Sequence, residues 1–305
     1  MLDVLTYEPV PGSPVPLAVR PVRLAPVPEW GEVFVLYRSG LDSGVLVLDV
    51  RSLAVVRDTG PVFAGDATDL AVSAAESMLF VSVPSANALL VHDAHAMGEL
   101  AAPIVFPRAG ANPVRLAIAE RFGWVLVGLD GGAQLGAYAL PSLAAVAGFP
   151  APAVSRINAV AVDEVRARAW VGGSQRYAVV DLVNPARTVT FTWPTMHSCL
   201  PPMCETLGRC ILLAPAYDRV YLLNVRDAIA ALALTSLDVG NSIDERLPGF
   251  QADIALNPRS GELIAVDTQS VSGSLRRLDP WTLRALGFEA FPVGGGGVSD
   301  MAVLP

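Results

Sequence analysis

The densest chemistry in the sequence lies in "TFTWPTMHSCLPPMCETLGRC", which ends at Cys210. All three cysteines of the chain, Cys199, Cys204 and Cys210, fall here together with His197. Thiolates and an imidazole are the ligands that tetrahedral Zn²⁺ takes, although the spacing fits none of the common C-x2-C arrangements. The same residues admit other readings. Cys199 and Cys204 flank a Pro-Pro turn that would bring them near enough for a disulfide with one thiol left over, and the odd count with irregular spacing favours this over a metal site. Three reduced, buried thiols are the other alternative. A catalytic thiol beside His197 lacks a neighbouring group to orient the imidazole. Elsewhere His92 and His95 flank Asp93, where they read as solvent-facing, with no thiol or second carboxylate to complete a metal triad. The chain has no G-x-S-x-G elbow, no H-E-x-x-H and no G-x-x-x-x-G-K-[ST] phosphate loop, so the common nucleophile, zinc-protease and nucleotide readings lack their chemistry.

The elements that would position these residues are short strands. In "DLAVSAAESMLFVSVPSANALLVHDAHAMGEL", from Asp69 to Leu100, three apolar runs are separated by small and polar turn residues, as in an antiparallel meander. The unit recurs at "RLAPVPEWGEVFVLY" from Arg23, "RLAIAERFGWVLVGL" from Arg115, "AVAVDEVRARAWVGG" from Ala159, "CILLAPAYDRVYLLN" from Cys210, "DIALNPRSGELIAVD" from Asp253 and "DMAVLP" from Asp300. These starts are 46, 46, 44, 51, 43 and 47 residues apart, room for four strands and their turns. Such a period means an array or a propeller. A second position repeats after the third run: "DVRSL" at Asp49, "DAHAM" at Asp93, "LPSLA" at Leu140, "DLVNP" at Asp181 and "DPWTL" at Asp279. An aspartate there can accept backbone hydrogen bonds two residues on and reverse the chain.

The pattern of a first strand, a small polar turn, a run such as Leu79-Phe80-Val81-Ser82 and an apolar run ending in Asp resembles the YVTN-type β-propeller repeat. The resemblance covers nearly the whole chain and is one of fold rather than activity. No repeat has the full tetrapeptide, the fifth reading Val220-Tyr221-Leu222-Leu223, and no blade carries the Gly-His and Trp-Asp pair of WD40 repeats. The expectation is an all-β, seven-bladed propeller forming one domain over residues 1–305. Its last blade would be closed by strands near 3–7 and 300–304, which removes exposed edges; six blades plus a terminal closure blade is the alternative. Phe34, Phe80 and Trp124 in the second strands would fill the space between blades.

In such a ring the residues that open the first strands would gather at one channel mouth: Arg23, Asp69, Arg115, Asn158, Cys210, Asp253 and Asp300. With Asp66 near by, Asp69, Asp253 and Asp300 could hold Ca²⁺ or, with Arg115, orient a small ligand. The competing and preferred reading is that Arg and Asp of neighbouring blades pair, since alternating signs neutralise one another.

The net charge of −8, with no lysine and no basic cluster in the chain, argues against nucleic acid, whose phosphates need a positive stripe. No apolar run is long enough for a transmembrane helix. No basic segment followed by an apolar stretch opens the sequence, so either the numbering starts after a removed signal or there is none. The functional expectation is a non-catalytic scaffold whose irregular loops, 193–210 and 238–250, bind another protein or a glycan without a cofactor. The alternative is a propeller enzyme of the lactonase or quinoprotein kind at the channel mouth. A disulfide would favour an extracellular or periplasmic setting.

Overall fold

The computed structural model describes residues 10–11, 15, 17–106, 110–173, 176–192, 211–224, 228–235, 243–246, 251–267 and 274–290. These residues form six antiparallel sheets, each a meander of four strands consecutive in the chain. The first sheet holds β1 (Arg20–Val27), β2 (Glu32–Ser39), β3 (Asp42–Asp49) and β4 (Val55–Asp58), with the short β5 (Phe63–Ala64) also paired to β3. The second holds β6 (Asp69–Ser73), β7 (Met78–Val83), β8 (Ala88–Asp93) and β9 (Glu99–Val105). In the third are β10 (Pro113–Ala119), β11 (Trp124–Leu129), β12 (Gln134–Ala139) and β13 (Ala151–Pro152), and in the fourth β14 (Ala159–Asp163), β15 (Arg168–Gly172), β16 (Arg176–Asp181) and β17 (Val189–Thr192). The fifth comprises β18 (Ile211–Ala214), β19 (Arg219–Asn224), β20 (Ala228–Ala233) and β21 (Ile243–Arg246); the sixth comprises β22 (Gln251–Leu256), β23 (Leu263–Asp267), β24 (Ser274–Leu278) and β25 (Ala285–Ala290).

The seven-bladed expectation gives way to six sheets among the described residues. Each of the first six repeats completes a four-stranded sheet from its own consecutive strands, so none of the six needs a strand borrowed from the far terminus. Asp300 and the expected closing strands near 3–7 and 300–304 lie outside the described residues. The chain divides into two compact units, one of residues 16–191 with sheets one to four, the other of residues 1–15 and 192–305 with sheets five and six. Among the described residues no helix is long and apolar enough to cross a membrane.

Within each unit the cores lie between sheets, because strand side chains alternate between two faces and both faces here are apolar. Strand β7 shows the consequence. Its Leu79, Val81 and Val83 pack with Phe34, Leu36, Val45 and Val47 of the first sheet. The intervening Met78 and Phe80 pack with Leu116, Val125 and Val127 of the third. Leu126 and Leu135 meet Val171 and Val180 in the same way between sheets three and four, and Tyr221 and Leu223 meet Ile254 and Leu263 between sheets five and six. Phe34 and Phe80 are fully buried as expected, while Trp124 is partly buried beside Phe122 and Phe149. Each such buried side chain contributes about 1.5–3 kcal/mol relative to exposure.

Two turn devices repeat with the sheets. The turn between first and second strands holds one residue in the left-handed region in every sheet: Gly31, Ser77, Gly123, Ala167, Asp218 and Gly261, with φ of 66, 54, 62, 54, 51 and 73°. Only half of these are glycine, so Ser77, Ala167 and Asp218 bear a side-chain penalty there. After the third strand, Asp49, Asp93, Asp181 and Asp279 each accept backbone N–H bonds from two and three residues on, as in His95 N to Asp93 Oδ1 at 2.8 Å and Thr282 N to Asp279 Oδ1 at 2.7 Å. In the third sheet the equivalent of Asp93 is Ala139 rather than Leu140, since Leu143 N donates to Ala139 O as Met97 N donates to Asp93 O. The alignment "LPSLA" is therefore offset by one residue, and Ser142 Oγ donates to Ala139 O in place of a carboxylate turn.

Gly123→Ala is expected to destabilise the protein by about 1 kcal/mol in chemical denaturation through its backbone conformation alone, because a Cβ there would meet nothing nearer than 4.0 Å. The turn hydrogen bonds hold the carboxyls of Asp49, Asp93 and Asp279 below the usual carboxylate range. Their stabilisation is complete above the unfolded value of about 3.9 and is lost as pH falls through the lower folded values. The urea midpoint of the wild type should accordingly drop as pH falls below about 4, and a combined D49N/D93N/D279N variant should show a flatter acid limb.

Candidate functional site at the start of the first strands

In the larger unit the first strands β1, β6, β10 and β14 are successive neighbours, so Arg23, Asp69, Arg115 and Asn158, at or near the beginnings of these strands, form one row. A β-bulge aims several of them. In β1 the pairing with β2 skips Val22, and in β10 the pairing with β11 skips Val114, so Arg23 and Arg115 each follow an extra residue that re-aims the side chain. In the other unit β22 has the same irregularity at Ala252, just before Asp253.

The row is buried. Arg23 is 7%, Asp69 9%, Arg115 4% and Asn158 4% exposed, and burial on this scale requires that charges be paired and hydrogen-bonded. Arg23 Nε lies 3.6 Å from Asp69 Oδ1. Asp69 accepts from its neighbour Leu70 N at 3.1 Å and, through Oδ2, from Leu116 N of β10 at 2.9 Å. Arg115 Nε donates to Asn158 O at 2.8 Å and its Nη1 donates to Val114 O at 2.7 Å. Thr68 Oγ1 donates to Val114 O at 3.2 Å. These bonds tie sheet one to two, two to three and three to four. The pairing of alternating signs expected from the sequence is present between Arg23 and Asp69, and the row acts chemically as a set of cross-links.

The other candidate residues are scattered. Asp66 is mostly exposed and stands 3.6 Å from Arg38 Nη1. Asp253 belongs to the smaller unit, is fully buried, and accepts from Ile254 N at 2.9 Å as Asp69 does from Leu70 N. Asp300 lies outside the described residues, as do His197, Cys199, Cys204 and Cys210 and most of the loops 193–210 and 238–250. Among the described residues no group of three or more His, Cys, Asp or Glu is placed to hold a metal. His92 is not solvent-facing: it is half-buried edge-on against Phe63 at 5.1 Å, and burial lowers its pKa. The exposed His95 ring lies 4.4 Å from Trp30.

Sequence reasoning missed Arg20, Arg38 and Thr68. Thr68 precedes a repeat start and Arg38 is the last residue but one of a second strand, so neither falls on the aligned columns; the register that sets Arg38 opposite Arg20 depends on a bulge that sequence alone does not announce.

No protein-family model matches the chain, and no curated protein matches it. Solved structures do. A chain in a crystal structure of a mitotic checkpoint complex aligns over 100% of this chain and 92% of its own length, at 13% identity and a TM-score of 0.69. The structure of U3-55K aligns over 93% of this chain and 85% of its own, also at 13% identity, with a TM-score of 0.70. The fold shared with them is a β-propeller. At this identity the likeness concerns the propeller's backbone alone.

Asp69→Ala would remove the carboxylate that faces buried Arg23 and leave Leu116 N without its acceptor. The expected loss is on the order of 3 kcal/mol, the scale of a buried pair broken by removing one partner. Urea denaturation compared with Asp66→Ala, whose carboxylate is exposed, measures it.

Proposed function

We propose that this propeller is a non-catalytic scaffold that binds a protein partner. The observation that carries the reading is the buried row itself. Arg23, Asp69 and Arg115 are the residues on which channel-mouth chemistry would rest, and their polar atoms are engaged in joining neighbouring sheets. A catalytic carboxylate must reach a substrate or hold a metal, whereas Asp69 uses both oxygens on protein N–H groups. One structural neighbour is part of a multiprotein checkpoint complex, and partner binding by a rigid propeller face suits the same fold here. A protein rather than a glycan is the partner this supports.

The loops 193–210 and 238–250 set partner identity in this reading, with His197, Cys199, Cys204 and Cys210 as a disulfide or Zn²⁺ clasp within the first of them. The YVTN-type resemblance concerns the repeat and brings no activity with it.

Incubation with lactones and with quinoprotein substrates should give no turnover, whether Ca²⁺ or EDTA is present. Calcium-dependent turnover abolished by Asp69→Asn would sink the scaffold reading and return the site to the channel mouth.

A further inference from the structure

The first sheet carries positive charge that the buried row does not absorb. Register sets Arg20 directly opposite Arg38 across β1 and β2, so the two guanidinium groups leave the same face of the sheet. That face is the one from which Leu36, two residues before Arg38, packs toward the second sheet. Like charges directly opposite each other destabilise a strand pair. Arg38 Nη1 lies 3.6 Å from Asp66 Oδ1, beyond hydrogen-bond length, and the Asp66 side chain is 68% exposed. Arg38 Nε is shielded from water with no hydrogen-bond partner among the described residues, an arrangement that costs stability. Arg20 is exposed and has no ion-pair partner among the described residues.

Apolar surface adjoins this charge. Leu41, at the turn joining β2 to β3, is 88% exposed, and Val62 is 62% exposed. Pairing of Asp42 with Ala64 and of Ser43 with Phe63 lays the segment after Val62 along that turn, which brings both residues and Asp66 to the Arg38 end of the sheet. In a chain of net charge −8 without lysine, the combination is the chemical complement of an acidic segment with interspersed apolar residues.

We infer that this corner of the first sheet docks an acidic peptide segment of a protein partner, its carboxylates against Arg20 and Arg38 and its apolar side chains over Leu41 and Val62. The inference rests on the scaffold reading and names the partner's chemistry. A guanidinium and a carboxylate form forked, charge-assisted hydrogen bonds, and an incoming carboxylate displaces the loosely held Asp66. Asp66 is therefore a competitor for the site rather than part of it.

The test is fluorescence anisotropy with the full chain and a panel of short labelled peptides that intersperse glutamate or aspartate with leucine. The wild type should bind them with an affinity that falls as salt rises, and should ignore the same peptides with glutamine and asparagine instead. Arg38→Gln and Arg20→Gln should each weaken binding by about tenfold or more, with thermal midpoints near that of the wild type. Asp66→Asn should tighten binding, an effect a merely structural Asp66 would not produce. No binding by the wild type, equal binding of the neutral peptides, or unchanged affinity in both arginine variants would overturn the site. Unchanged affinity in those variants would leave the scaffold reading standing, whereas turnover in the enzymatic assays with arginine-dependent peptide binding intact would sink the scaffold reading alone.

Discussion

Each sheet in this protein has two apolar faces and no way of covering them by itself. The side chains of β7 make the point: Leu79 and Val81 need the first sheet, and Phe80 needs the third. Stability is therefore a property of neighbouring sheets, and the cores among the described residues lie at boundaries between two repeats. That requirement is what a stack of repeated sheets, as in a β-propeller, satisfies. Apolar residues on both faces of the second and third strands demand a neighbouring sheet on each side, and chain order supplies the adjacent repeat.

Polar chemistry follows from the same constraint. Bringing first strands side by side forces their opening residues into a small, largely dehydrated space, where an unpaired charge would be costly. The chain answers with Arg23 against Asp69, with the Asp69 carboxylate capping Leu116 N, and with Arg115 spanning to Asn158 O. Similar cross-links recur at the opposite ends of these strands, where Ser73 Oγ donates to Glu120 and Arg121 N donates to Glu164. Charged residues thus serve as registration pins between repeats at both ends, and what remains for recognition is charge outside the row, as at Arg20 and Arg38.

Much of this was readable from the sequence, and the limits have physical causes. Six of the repeat starts, from Arg23 to Asp253, fall within a few residues of the beginning of a first strand, because short apolar runs bounded by turn residues suit strands better than helices. The aspartates after the third strand were readable because a carboxylate in that place bonds backbone groups two and three residues on. The left-handed residue in each inner turn was not, since Ser77, Ala167 and Asp218 occupy it where glycine would have announced it. The turn at Leu140 was misaligned by one residue because Ala139 gives no polar signal. The blade count followed from counting starts, and a start at Asp300 does not by itself supply the strands of a sheet. Of the candidate site, the Arg23 and Asp69 pairing was foreseeable from alternating signs. The confrontation of Arg20 with Arg38 was not, because it depends on the extra residue at Val22.

The outermost strand of the second sheet has a further consequence. In β9 the register to β8 breaks twice, and Pro103 sits in one of the breaks. Exposed Leu100 and Val105 would otherwise make this strand an open template on which a second chain could extend the sheet. A proline there has no N–H to offer, and the breaks keep the remaining donors and acceptors out of the even line that a visiting strand requires. An edge so interrupted protects a protein rich in apolar strands from adding copies of itself end to end into fibres.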